Sequence, residues 1–139
     1  MPYIPWDSSL SVNVPALDEQ HRAFIQVLND LHDVLMAGAF HEVLEARDRT
    51  LERIETYIRT HFAAEEAYMA SIGYPSLPEH RLLHEEFTAL MRSYRTSIAA
   101  GRQILNTDLI KTMIRWVNDH LGGEDRKYAA FAAGPPRDS

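Results

Sequence analysis

The chain has 139 residues, 45% of them hydrophobic and 24% charged, with a formal net charge of −6 at pH 7 and no cysteine. That length suits one domain with one core, and the missing thiols exclude disulfides, thiolate metal sites and cysteine nucleophiles, leaving His, Asp and Glu for any metal. Lys and Arg are scattered among Asp and Glu, which excludes the basic face of a nucleic-acid binder, and no run of about 18 apolar residues exists to enter a membrane.

The opening "MPYIPWDSSL" has neither the basic nor the apolar region of a secretion signal, so the expected location is cytoplasmic. Residues 1–17 include three prolines and the stretch "SVNVPAL", which predicts an extended arm pinned by Ile4 and Trp6. The first helix is expected from Asp18, as N-cap, with His21, Phe24, Leu28, Leu31 and Leu35 on one face and a stop near "MAGAF". The second should run from about Glu42 to Ser71. Its seam is Leu51, Ile54, Ile58, His61, Glu65 and Tyr68, and the "GYP" that follows disfavours continuation.

Ser76, Pro78 and Glu79 combine an N-cap, an early-turn proline and a capping-box glutamate at the start of the third helix. Its inward positions are His80, Leu83, His84, Phe87, Leu90, Met91, Tyr94 and Ile98. The segment "NTDLIKTMIRWVNDHL" starts a fourth helix capped by Asn106 or Thr107, with Leu109, Met113, Trp116, Val117 and His120 inward. "RKYAAF" extends it to residue 131, and residues 132–139 read as a flexible tail.

Short connections between successive amphipathic helices predict an all-α fold: an up-down-up-down antiparallel four-helix bundle over residues 18–131, with the arm packed on it. In that topology the start of the first helix, the end of the second, the start of the third and the end of the fourth meet. His21, His61, Glu65, His80, His84, His120 and Asp125 all fall at that end. A buried carboxylate is costly unless paired or bound to metal. Five imidazoles and two carboxylates are too many for one tetrahedral zinc and suit two first-row ions such as iron.

With "W...SVNV", "DEQH", "HFAAEEAYM", "GYP", "HRLLH" and "WVNDHLGGEDRKY", the chain resembles the hemerythrins, particularly the single-domain bacterial ones, over nearly its whole length. The resemblance implies two iron ions. His80, His84 and His120 would bind one, His21 and His61 the other, and Glu65 and Asp125 would bridge them together with an oxo or hydroxo group. The iron with fewer ligands would take dioxygen end-on as peroxide, reversibly and without enzymatic turnover. Two ferrous ions against two carboxylates and one hydroxide leave a net charge of about +1, which an apolar cavity tolerates. Phe24, Leu28, Phe62, Trp116, Val117 and Leu121 would wall the oxygen pocket, and Tyr128, one turn beyond Asp125, would approach the site.

His120 and Asp125 are five apart, about 140° around a regular helix, so both can face inward only if the helix is distorted. Gly122 and Gly123 make a break or π-bulge there inexpensive. His32 and His41 are expected at the surface or boundary, and Glu66 and Glu124 in solvent.

The rivals are an oxygen, redox or nitric-oxide sensing module on the same site, and a ferritin-like di-iron oxidase. The oxidase needs Glu-x-x-His motifs, and no glutamate here has a histidine three residues on. A zinc hydrolase of the His-Glu-x-x-His kind lacks its second histidine after His84-Glu85. The acidic exterior gives a monomer as the expected state, with dioxygen the partner.

Overall fold

In a computed structural model, which describes residues 3–38, 40–102 and 106–134, four helices form an antiparallel up-down-up-down bundle, with no strand among the described residues. Helix α1 is Pro15–Ala37. Helix α2 covers 40–71 as Phe40–Tyr57, a π-helical turn Ile58–Phe62, and Ala63–Ser71. Helix α3 is Leu77–Ala99, and α4 covers 106–133 as Asn106–Arg115, a π-helical segment Trp116–Glu124, and Asp125–Ala133.

Helix α1 begins three residues before Asp18. Pro15 occupies its first turn, where the missing N–H costs nothing and φ is already helical. The Asp18 carboxylate is instead taken by the arm, accepting from Ser11 Oγ at 2.6 Å and Val12 N at 2.8 Å. Ser76 stands before α3 without a side-chain cap bond, because its backbone, at φ −94° and ψ 20°, lies outside the extended region a capping serine uses. The start of α4 agrees with the "NT" signal, with Asn106 and Thr107 both inside the helix rather than before it as a cap; Ala132 and Ala133, expected in the tail, belong to α4, and 135–139 lie outside the described residues.

The arm is less extended than its prolines suggest, with a 3-10 turn at Ser8–Leu10 and a left-handed residue, Asn13, at φ 61°. Ile4 and Trp6, expected to pin the arm, pack against the main core, and Leu10 joins them. Buried Asn29 fixes Ile4 twice, accepting its N–H and donating to its carbonyl, each at 2.8 Å, and Arg22 lies over the Trp6 ring.

The buried face of α2 differs by one residue at two places from the expected seam. Leu51, Ile54, Tyr57, His61, Glu65 and Met69 are buried, still at steps of three and four, with Ile58 and Tyr68 of the expected seam partly buried beside them. Leu90 is likewise 40% exposed rather than inward, since Phe87 and Met91 already fill that level of α3.

The apolar interior is in two parts. The larger holds Phe24, Leu28, Ile54, Phe62, Phe87, Met113, Val117 and Leu121 among others; the smaller holds Val12, Leu17, Met69, Tyr128 and Ala129. Along α1, α2 and α4, His21, Glu65 and Asp125 fall between these two sets. Each large apolar side chain buried returns about 1.5–3 kcal/mol. An uncompensated buried carboxylate costs several kcal/mol, so no single neighbouring contact offsets one. The polar layer must be satisfied from within.

Candidate metal centre

All seven predicted residues meet in that layer, each at most 3% exposed. Glu65 divides its oxygens. Oε1 lies 3.1 Å from His80 Nε2 and 2.9 Å from His84 Nε2; Oε2 lies 3.1 Å from His21 Nε2 and 3.0 Å from His61 Nε2. Asp125 divides likewise, with Oδ1 at 3.0 Å from His80 and 3.1 Å from His120, and Oδ2 at 3.1 Å from His21. Two groups of donors result: Glu65, His80, His84 and His120, and His21, His61, Glu65 and Asp125, the donor atoms of each within 4.8 Å of one another.

The π segments make this possible. Asp125 N–H donates to His120 O, five residues back, so the two side chains stand one π turn apart on the same face. The distortion expected at the glycines is there but begins earlier, at Trp116, and runs through both.

Electrostatics bind the layer further. Burial opposes charge on His21 and His80, but Asp125 and Glu65 outweigh it and raise both to about 9. His120 is raised by the same carboxylates against burial, whereas burial prevails at His61 and lowers it. Burial also opposes ionisation of Glu65 and Asp125, yet the surrounding imidazoles hold both well below the usual carboxylate range.

The donor chemistry fits metal ions. His84 Nδ1 lies 2.8 Å from Glu66 Oε2 and His61 Nδ1 lies 2.6 Å from Gln20 Oε1. Those oxygens only accept, so each ring carries a proton on Nδ1, and in the neutral ring the Nε2 lone pair then faces a carboxylate oxygen. Lone pair against carboxylate is repulsive, and a cation between them removes the repulsion. Both Asp125 oxygens are buried without a hydrogen-bond partner among the described residues, as is His21 Nδ1. Five imidazole nitrogens and four carboxylate oxygens, without sulfur, form a first-row metal donor set.

Of the six residues expected to wall an oxygen pocket, Phe24, Leu28, Phe62, Val117 and Leu121 are buried and Trp116 is half-buried. Phe62 stacks on His84 with ring centroids 3.9 Å apart, and Trp116 on His120 at 3.8 Å. Tyr128 reaches the centre, its hydroxyl donating to Glu65 Oε2 at 2.9 Å. His32 is a boundary residue stacked on Tyr3, and Glu124 pairs with Lys127. His41 is exposed.

Glu66 is not simply solvated. It is 22% exposed at the side chain and bonds both His84 and Arg81. Gln20 and Tyr57 escaped the sequence reading as well. Tyr57 stacks on His61 at 4.7 Å and accepts from Trp116 Nε1 at 3.4 Å. The one sequence signal for Tyr57 was its place four residues before His61; Glu66 and Gln20 had only their adjacency to Glu65 and His21, which helical geometry turns away from the seam.

A four-helix bundle whose end layer holds two overlapping His/carboxylate donor groups belongs to the class of helical-bundle metal-binding proteins. The family model described as "Hemerythrin HHE cation binding domain" matches residues 12–132, and the chain belongs to the hemerythrin family. It is 34% identical over 130 residues to a protein named Bacteriohemerythrin from Stenotrophomonas maltophilia, a match covering 93% of this chain and 81% of that protein. Another Bacteriohemerythrin, from Ralstonia nicotianae, is 31% identical over 133 residues, covering 96% and 91%. Among solved structures, a hemerythrin point mutant matches with a TM-score of 0.77 at 25% identity, over 93% of this chain and 96% of that one. No helix among the described residues is long and apolar enough to cross a membrane.

Proposed function

We propose that this protein is a non-heme di-iron protein that binds dioxygen reversibly, for storage, delivery or buffering. His80, His84 and His120 hold one iron, His21 and His61 the other, and Glu65 and Asp125 span both. The observation that carries the reading is the unequal partition of histidines, three against two, around carboxylates that each face both groups. Two ferrous ions bound there would supply the electrons and the open position that dioxygen needs.

The chain's own contribution is to shape and dry the surroundings. Phe24, Leu28, Phe62, Val117 and Leu121 present only carbon, and Trp116 covers the His120 ring. By excluding water these side chains would favour reversible binding over irreversible oxidation of the bound metals. Tyr128 holds Glu65 by its hydroxyl, whose pKa burial pushes up strongly, so it remains a donor throughout the working range. The same reading takes the protein as a cytoplasmic monomer with no nucleic-acid or membrane partner, and as a binder rather than an enzyme.

The test is anaerobic loading with Fe(II), metal analysis and visible absorption during cycles of oxygen and vacuum. About two irons per chain and a band that appears with oxygen and vanishes without it, cycle after cycle, are expected. Iron that oxidises irreversibly on first exposure would replace the reading with an oxidase or sensor, and failure to take up iron would end it.

A further inference from the structure

Two imidazoles of the centre have outward partners of different charge. His84 donates Nδ1–H to Glu66, whose other oxygen accepts from Arg81 Nε at 2.9 Å; His61 donates Nδ1–H to the neutral amide oxygen of Gln20. Glu66 follows Glu65 on α2, and Arg81 lies one turn before His84 on α3, so the relay is built from two of the four helices that carry the metal donors. An anion behind an imidazole draws on its Nδ1 proton and enriches Nε2, strengthening the bond that nitrogen makes to a cation. An amide oxygen orients the ring with less of that effect. Glu66 is mostly shielded, so solvent screens its charge only in part.

We propose that Glu66 and Gln20 set the two metal positions apart, Glu66 tightening the position of His80, His84 and His120 through His84, and Gln20 leaving that of His21 and His61 the more labile. The inference rests on the two-metal reading above. Glu66 and Gln20 touch no metal and are positioning residues. The position with fewer histidines is thereby also the one with the weaker support, so metal loss begins where an external ligand would bind.

The experiment uses the full chain loaded with Zn(II), which is redox-inert, and follows imidazole 15N shifts while a chelator is added. In the wild type, His21 and His61 lose the metal-bound shift before His80, His84 and His120. Ligand number alone would give that order, so the variants decide. Glu66→Gln keeps shape and removes charge; it should speed release from the three-histidine position by about 10- to 100-fold and leave the other rate in place. Gln20→Glu should slow release from the two-histidine position by a comparable factor, and it serves as the deciding variant if Glu66→Gln does not fold. Unmoved rates overturn the inference, as does equal acceleration of both positions by Glu66→Gln, which would mean general loosening. A wild type that takes up fewer than two zinc ions sinks the two-metal reading itself, whereas two zinc ions with unmoved variant rates sink only this inference.

Discussion

The backbone N–H of Asp125 donates to the carbonyl of His120, and this single i to i+5 bond turns a spacing that a regular helix would splay apart into a shared face. Gly122 sits inside that π segment, where an added Cβ would meet Leu10 Cδ2 and Val117 O at 3.4 Å, ordinary contact distance. Gly122→Ala should therefore fold normally and gain up to about 1 kcal/mol from reduced chain entropy. Gly122→Val adds γ-carbons against Leu10 of the arm and should cost about 1–3 kcal/mol. Denaturant titration of both proteins checks the pair, and equal stabilities would show that the arm does not restrict this position.

Removing a carboxylate should differ from removing a histidine. Glu65 faces both donor groups, whereas His61 belongs to one. Glu65→Ala should bring bound metal from about two per chain to well below one, and His61→Ala to about one. Metal analysis after gel filtration reads both, and a Glu65→Ala protein that keeps two metals would mean the carboxylate spans nothing.

The metal-free protein should lose stability as pH rises from 6.5 toward 9. His21 and His80 have folded pKa values raised to about 9, so their contribution is complete below the unfolded value of 6.5 and is lost as pH climbs through the folded one. His120, raised by the same carboxylates, adds to the fall, whereas Glu65 and Asp125 are ionised in both states across that window, and His61, lowered, has already discharged. The loss should be on the order of a few kcal/mol for the pair. Metal-loaded protein should show no such fall, since bound imidazoles are neutral, and loading at pH 7 should release about two protons from His21 and His80, with His120 adding to them. Thermal melting of both forms at several pH values, with proton counting in weak buffer, tests this; parallel melting curves would refute it.

The arm should be separable from the centre. The Asn29 side chain accepts from and donates to Ile4, and neither bond touches a metal donor. Asn29→Ala should cost about 1–3 kcal/mol, expose residues before Pro15 to proteolysis, and leave metal content unchanged. Reduced metal uptake in that variant would tie the arm to the centre directly.

By itself the sequence determined the four helices, their order and the layer in which seven polar residues meet, because periodicity and short connections dictate which helix ends coincide and burial demands that carboxylates there find partners. The His120 to Asp125 spacing even required a distortion, and two glycines marked its place. Tertiary structure alone decided the rest. The π turn at Ile58–Phe62 carries no sequence mark, and Tyr57 is buried while Ile58 of the expected seam packs against the core only partly buried. Asp18 became an anchor for Ser11 and Val12 because Pro15 could start the helix earlier. Glu66 and Gln20 lie off the seam, and only the approach of α3 and of α2 respectively gives each an imidazole to hold. Helical periodicity reports which side chains face the core, and partners that reach in from the edge of that face depend on how closely the neighbouring helix packs.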